Sequence, residues 1–195
     1  PSQVADCFEV IYAGSVTGLY LLEEMGQFFL ALHARFPMAY LRILTHSPAA
    51  PAAARLRRVG LQEKDFWIGA VAPEEVPGYL RRAQLGLSFR KPTFSQIAAS
   101  PTKIPEYLAA GLPVVSNAGI GDSELILRTD RIGVVVEEFT PAAYLQAVRQ
   151  LEELLEDHTL AWRCRASAAQ RFDLQKVGGA RYRHLYRRLI ERIGS

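Results

Sequence analysis

The residues with the clearest chemical potential are Ser100, Pro101, Thr102 and Lys103, followed three positions later by Glu106. A serine before a proline suits a helix start, because the hydroxyl caps free N–H groups and proline needs no donor in the first turn. Unpaired N–H groups at such an end attract an anion, and the Lys103 ammonium strengthens that attraction. Glu106 falls on nearly the same helical face as Lys103. A carboxylate there can accept hydrogen bonds from two ribose hydroxyls while Lys103 and the N–H groups hold phosphate. A plain surface Lys/Glu pair, contributing about 0.3 kcal/mol, satisfies the same spacing.

Two glycine-bearing turns offer further anion sites. The run Gly14-Ser15-Val16-Thr17-Gly18 combines two residues that let the backbone approach a ligand with two hydroxyls. It has neither the Gly-Lys-Ser/Thr ending of a P-loop nor a GxGxxG fingerprint, so a tight strand-to-helix turn explains it equally. The run Gly119-Ile120-Gly121-Asp122-Ser123 can present N–H groups ahead of a helix, or serve as a loop capped by Asp122. Of the histidines (33, 46, 158 and 184), only His46 falls at a strand's carboxyl end. A surface or structural role is its simpler account. No Ser-His-Asp or metal-ligand spacing is visible. Cys7 and Cys164 stand at opposite ends of the chain, which argues against a disulfide framework and a cysteine-based zinc site. Reducing cytosol is the default compartment.

These residues need a scaffold, and the apolar pattern predicts one. Six short apolar runs read as strands: Phe8–Ala13, Ala39–Thr45, Phe66–Val71, Leu85–Phe89, Pro113–Ser116 and Ile132–Val136. Helical periodicity separates them. Leu22, Met25, Phe28, Phe29 and Leu32 form one stripe, which stops before Pro37. A second helix ends near Gly60, a third starts at Pro73, and Lys103–Ala110 is closed by Gly111. Asp122–Arg128, Pro141–Glu156, Thr159–Phe172 and Asp173–Ile193 complete the set, and a polar loop spans Arg90 to Pro101. Strands alternating with helices imply right-handed crossovers and a doubly wound, Rossmann-like parallel α/β sheet, here with a helical C-terminal extension. Ligands of such sheets bind beyond the strand carboxyl ends. The first and second glycine turns and the 100–106 segment all lie there.

Apolar residues at 49% and charged residues at 22% describe an ordinary globular chain and exclude a disordered or fibrous one. No run approaches the roughly 20 apolar residues of a membrane span. Charge is uneven. Residues 163–195 carry nine basic side chains against two acidic, a net of +7, whereas residues 1–162 carry 14 against 18, a net of −4. The last helix places Tyr182, Leu185, Tyr186, Leu189, Ile190 and Ile193 in a stripe ringed by Arg181, Arg183, Arg187, Arg188 and Arg192. A helix docked on the domain by its stripe, with solvated arginines, is the simplest expectation. Contact with anionic lipid or another domain is the alternative. The arginines lack interleaved exposed aromatics, which argues against nucleic acid.

The stretch SPTKIPEYLAAGLPVV resembles the SPxKxxEYLAxGxPVV segment of group 1 retaining glycosyltransferases, in the nucleotide-sugar-binding C-terminal half of their GT-B fold. The flanking runs IYAGS, APEEVPGYLRRAQLGLSF and NAGIGDSELIL resemble that half in the same order, so nearly all 195 residues fit. The resemblance implies a single donor-binding domain over residues 1–195, with the acceptor site on an N-terminal domain that is absent from this chain. It implies sugar transfer from a nucleoside diphosphate sugar to a glycan or lipid-linked acceptor, with retention. No cofactor and no protein-held metal are implied. Glu106 matches the ribose-binding glutamate, and Ser100, Pro101, Thr102 and Lys103 match the segment against the diphosphate and sugar. Gly14 and Ser15 match the loop beneath the phosphates, and Gly119 and Gly121 match the turn that follows the motif. Residues 67–72 match the wall behind the base, and the last helix matches one that crosses back to the first domain. That crossing suits peripheral membrane contact or the missing domain as its partner.

Two departures from the family pattern stand out. Ala98 occupies the position where many members carry a first glutamate, seven residues ahead of the second. The stretch SVTGLYLLEE after the first strand lacks the Arg and Lys that many members place there for the diphosphate. Lys103, Arg90 or Lys91 can substitute from the 90–103 loop. A sugar-nucleotide epimerase or hydrolase of similar fold and a non-catalytic nucleotide-binding module are the rival readings.

Overall fold

The computed structural model describes residues 8–193. Six parallel strands form one sheet: β1 Phe8–Ala13, β2 Ala39–Leu44, β3 Phe66–Gly69, β4 Leu85–Ser88, β5 Val114–Asn117 and β6 Gly133–Val136. Their order across the sheet is β3-β2-β1-β4-β5-β6. The chain winds outward from β1 in one direction, then crosses back and winds outward from β4 in the other. This is the doubly wound arrangement read from the alternation of strands and helices. The change of direction falls between β1 and β4, and sheets of this kind bind ligands beyond the strand carboxyl ends near that point.

Two apolar layers sandwich the sheet. Helices α1 (Leu22–Arg35), α2 (Ala49–Val59) and α6 (Pro141–Leu155) cover one face, burying Phe28, Phe29, Leu56, Tyr144 and Leu151. Helices α3 (Val76–Arg82), α4 (Lys103–Ala110), α5 (Ser123–Thr129) and α7 (Leu160–Phe172) cover the other, burying Leu80, Tyr107, Leu127 and Cys164. Both faces being covered explains why the strands are near-continuous apolar runs. Each fully buried Phe or Leu contributes about 1.5–3 kcal/mol. The Cys164 thiol is free and buried, and burial pushes its pKa up to about 12. Cys7 lies outside the described residues. Among the described residues no His/Cys/Asp/Glu group is arranged to hold a metal, and no helix is long and apolar enough to cross a membrane.

The seam between the two halves of the sheet is short. β1 pairs with β2 at six positions, from Phe8↔Ala39 to Ala13↔Leu44, but with β4 at only two, Val10↔Leu85 and Ile11↔Gly86. Gly86 matters at this seam. A Cβ there would stand 2.5 Å from the Tyr107 ring, so the missing side chain lets α4 settle directly on β4. Tyr107, fully buried, then reaches β1 and accepts a hydrogen bond from the Ala13 N–H at 2.8 Å.

Several sequence expectations change. Thr45, Ala70, Val71 and Phe89 extend beyond the paired strands, because an apolar run does not mark where the ladder stops. Ser100 does not cap α4. The helix begins after Thr102, with no side-chain cap, and the Ile104 N–H turns back to the Pro101 carbonyl at 3.1 Å. The expected polar loop contains a 3-10 turn at Phe94–Ala98 that leaves Phe94 91% exposed. The expected helix Asp173–Ile193 is divided. A π-helical turn spans Leu174–Gly179, started by Asp173, whose carboxylate accepts from the Gln175 and Lys176 N–H groups at 2.9 and 2.7 Å. Gly178 and Gly179 favour the break, and α8 (Ala180–Ile193) follows. The stripe on α8 is not docked. Tyr182, Leu185, Tyr186, Leu189 and Ile190 are between 43% and 69% exposed, and none of them belongs to either apolar layer. The side chains of Arg192 and Ile193 lie outside the described residues.

Candidate functional site

A cleft of about 630 Å³ lies beyond the carboxyl ends of β1, β2 and β3 and is walled on its other side by the start of α4. Its floor is the turn after β1. The Gly14 N–H is held by the Leu44 carbonyl at 2.9 Å, and Gly14 itself takes φ +142°, a conformation that only glycine adopts without strain. Ser15 folds its hydroxyl back on the turn, 3.1 Å from the Thr17 hydroxyl and accepting from the Thr17 N–H at 3.3 Å. Arg55 on α2 donates to the Val16 carbonyl at 2.6 Å and pairs with Glu23 on α1, so the loop is pinned from behind.

Opposite this turn, α4 delivers Thr102, Lys103 and Glu106 to the cleft. Lys103 is only 7% exposed. Its ammonium lies 4.7 Å from the centre of the Tyr12 ring and 4.2 Å from that of Tyr20, and donates to the Tyr12 hydroxyl at 3.4 Å. Tyr12 in turn donates to the Ser15 carbonyl. A Cβ on Gly14 would come within 3.2 Å of the Lys103 nitrogen, so the ammonium and the glycine turn are in direct apposition. Burial, and secondarily the nearby Arg90 charge, lower the Lys103 pKa to about 8, while Glu106 acts to raise it. Burial raises the pKa of the Tyr12 and Tyr107 phenols, which therefore stay protonated. The cleft thus offers a cation with no carboxylate within ion-pair distance among the described residues. Glu106 stands exposed one helical turn further along. Phosphate beside Lys103 and a diol beside Glu106 are what this arrangement can hold.

Of the residues read from the sequence, Gly14, Ser15, Thr102, Lys103 and Glu106 come together in this cleft. Ser100 and Pro101 flank it without lining it. Gly119 and Gly121 serve a different contact. The Gly121 N–H is taken by the Gln96 carbonyl at 2.9 Å, and a Cβ there would collide with the Ala99 carbonyl at 1.8 Å. The turn therefore packs against the 94–99 segment. In the wall behind the base, Ala70 and Val71 line the cleft, but the Trp67 ring folds across Gly69 instead. His46 does line it, exposed at the end of β2 beside Thr45 and Ser47. Tyr12 and Tyr20 were not identified as site residues, although Tyr12 lies near a strand's carboxyl end; Arg90 was named only as one of three basic residues able to stand in for the missing cations.

The sequence matches the family model described as glycosyl transferases group 1 over residues 9–154. No curated protein matches it significantly by sequence. Among solved structures, the C-terminal domain of a group 1 family glycosyl transferase, LpcC from Francisella tularensis, superposes at a TM-score of 0.65 with 14% identity, covering 86% of this chain and 87% of that one. WaaG, a glycosyltransferase involved in lipopolysaccharide biosynthesis, does so at 0.67 with 18% identity over 86% of this chain and 44% of its own length. HepE from Anabaena, solved with UDP and glucose, does so at 0.70 with 16% identity over 94% of this chain and 49% of its own. The chain thus spans less than half the length of these two larger relatives. The doubly wound sheet and the match across residues 9–154 agree, and the chain belongs to the group 1 glycosyltransferases.

Proposed function

We propose that this domain binds the nucleoside diphosphate sugar of a glycosyltransferase, and that the intact enzyme transfers the sugar with retention to a hydroxyl of a glycan or lipid-linked acceptor. The single observation that carries the reading is the meeting of Gly14, Lys103 and Glu106 in one cleft beyond the strand carboxyl ends. In this reading Glu106 accepts from the ribose hydroxyls. Lys103 and the Gly14–Ser15 turn hold the diphosphate. As the bond from the anomeric carbon to the diphosphate oxygen breaks, negative charge grows on the leaving group, and a pre-placed ammonium stabilises it. The acceptor hydroxyl oxygen bonds to the anomeric carbon and gives its proton to the departing diphosphate oxygen. Similar folds support a nucleotide and a sugar as ligands, since HepE was solved with UDP and glucose.

The acceptor site belongs, in this reading, to an N-terminal domain of the same protein. The exposed apolar stripe on α8 supports such a partner. The domain alone binds nucleotide and transfers little sugar, with no cofactor beyond the donor. A second reading, a nucleotide-binding domain that has lost transfer, is favoured by Ala98, which leaves an exposed methyl where many members carry a glutamate.

Calorimetric titration with UDP, GDP, ADP and NAD, beside Glu106→Ala and Lys103→Ala, tests the proposal. One nucleoside diphosphate should bind, and both variants should weaken it about tenfold or more. Absence of nucleotide binding by the full-length protein overturns it. Binding without sugar transfer in the full-length protein selects the second reading.

A further inference from the structure

The loops that follow β1 and β4 are stitched together by main-chain hydrogen bonds. The Leu21 N–H donates to the Phe89 carbonyl at 3.3 Å and the Lys91 N–H to the Leu19 carbonyl at 2.8 Å. Tyr20 and Arg90 therefore face each other as an isolated antiparallel bridge. Asn117, buried at the end of β5, fixes Arg90 from a third element by accepting its N–H at 2.8 Å. So held, the Arg90 guanidinium carbon lies 5.3 Å from the centre of the Tyr20 ring. The Lys103 ammonium lies 4.2 Å from that same centre. Two cations share one aromatic ring, and Tyr20 and Lys103 line the cleft.

Neither cation has a carboxylate within ion-pair distance among the described residues. The Arg90 Nε–H is buried and has no hydrogen-bond partner. A buried, unsatisfied guanidinium N–H beside the buried Lys103 ammonium is unfavourable in the free protein. The aromatic quadrupole of Tyr20 offsets part of that cost, and an anion with more than one charge offsets the remainder. The stretch from Ser15 to Glu24, by contrast, contains no basic residue.

We infer that Arg90, positioned by Tyr20, supplies with Lys103 the paired positive charge that holds the donor's diphosphate, delivered from β4 and α4 and not from the loop after β1. The inference rests on the donor-binding reading and adds to it a residue and a route for the charge. Arg90 is the charge-bearing residue that meets the diphosphate, and Tyr20 is the residue that positions it.

The test titrates the protein with UDP, GDP, ADP and inorganic pyrophosphate, comparing wild type with Arg90→Gln and Arg90→Lys. Arg90→Gln should weaken the preferred nucleoside diphosphate and pyrophosphate alike by about tenfold or more, while Arg90→Lys, which keeps the charge, stays within about threefold. Equal binding by wild type and Arg90→Gln overturns the inference and leaves the donor reading standing. An equal loss in Arg90→Lys also overturns it, since a structural role would then account for both. Pyrophosphate binding that depends on Arg90, with no nucleoside diphosphate bound, retains the cation pair and removes the donor reading. Silence towards every probe removes both. Should Arg90→Gln fail to fold, Tyr20→Leu against Tyr20→Phe reads the same question. Loss in the first and retention in the second is the expected result, and retention in both overturns the inference.

Discussion

A Cβ on Gly14 would stand 3.2 Å from the ammonium nitrogen of Lys103, on a backbone at φ +142°. The glycine is therefore required twice, by its dihedral angle and by its neighbour. Gly14→Ala should cost more than about 1 kcal/mol of stability and also weaken pyrophosphate binding, because the methyl pushes the ammonium off its seat. Gly18, at φ +70°, has nothing within 4 Å of its Cβ position. Gly18→Ala should show a stability cost of about 1–2 kcal/mol with unchanged affinity. Urea unfolding and anion titration on the two variants separate the effects.

Lys103 should make ligand binding pH-dependent. The groups facing it are Tyr12 from β1, Tyr20 and Arg90 from the stitched loops, and Glu106 from its own helix. Its pKa of about 8 means that the ligand-free ammonium loses its proton above that pH. Affinity for UDP should hold from pH 7 to 8 and then fall by up to about tenfold per pH unit to pH 9.5, with Lys103→Met flattening the profile. Stability of the free protein moves the other way. The folded pKa of about 8 lies below the ordinary 10.5, so the unfolded chain binds more protons between these values and stability rises with pH across them. Calorimetry and thermal melting at matched ionic strength check both signs.

Tyr107 ties α4 to the end of β1, and two substitutions test that tie. Tyr107→Phe removes the hydroxyl that the part-buried Ala13 N–H donates to and should cost about 0.5–1.5 kcal/mol. Gly86→Ala places a methyl 2.5 Å from the Tyr107 ring and must displace α4. A cost of about 1–3 kcal/mol is expected there, with a loss of nucleotide affinity, since Lys103 and Glu106 ride on the displaced helix. Unfolding midpoints and UDP titration measure the two together.

Deleting residues 180–195 should leave the melting temperature within about 2 °C of the intact chain, because the α8 stripe is exposed and supports neither core layer. A larger drop would mean that α8 is docked on the domain after all.

Much of the scaffold was legible, and the reasons are local. Lys103–Ala110 begins and ends where its pattern predicts, because Gly111 at φ +87° closes the helix. The doubly wound parallel class follows from alternation and handedness, while the order of the strands needed the structure. Strand ends were less legible, since Ala70 and Val71 continue an apolar run while leaving the ladder to line the cleft. Ser100 has the composition of a cap, but the backbone turns at Pro101 before the helix forms. Lys103 and Glu106 were legible as a helical pair. Arg90 was legible only as one of three basic residues able to replace the missing cations, and its pairing with Tyr20 was not, because 70 residues separate the two and only the main-chain bridge brings them together. Gly119 and Gly121 carried a true signal of special backbone, but the Gly121 backbone answers to Gln96 and Ala99 and Gly119 faces Pro92.

The two-position seam between β1 and β4 has a mechanical side. Ser15, His46 and Val71 stand on one side of it, and Lys103 and Glu106 arrive from the other. A single molecule gripped by both groups would act as a rivet across this short seam. Occupancy of the cleft should then stiffen the whole body, far beyond the residues touched, and slow amide exchange along Val10–Ile11 and Leu85–Gly86 more than in the outer strands.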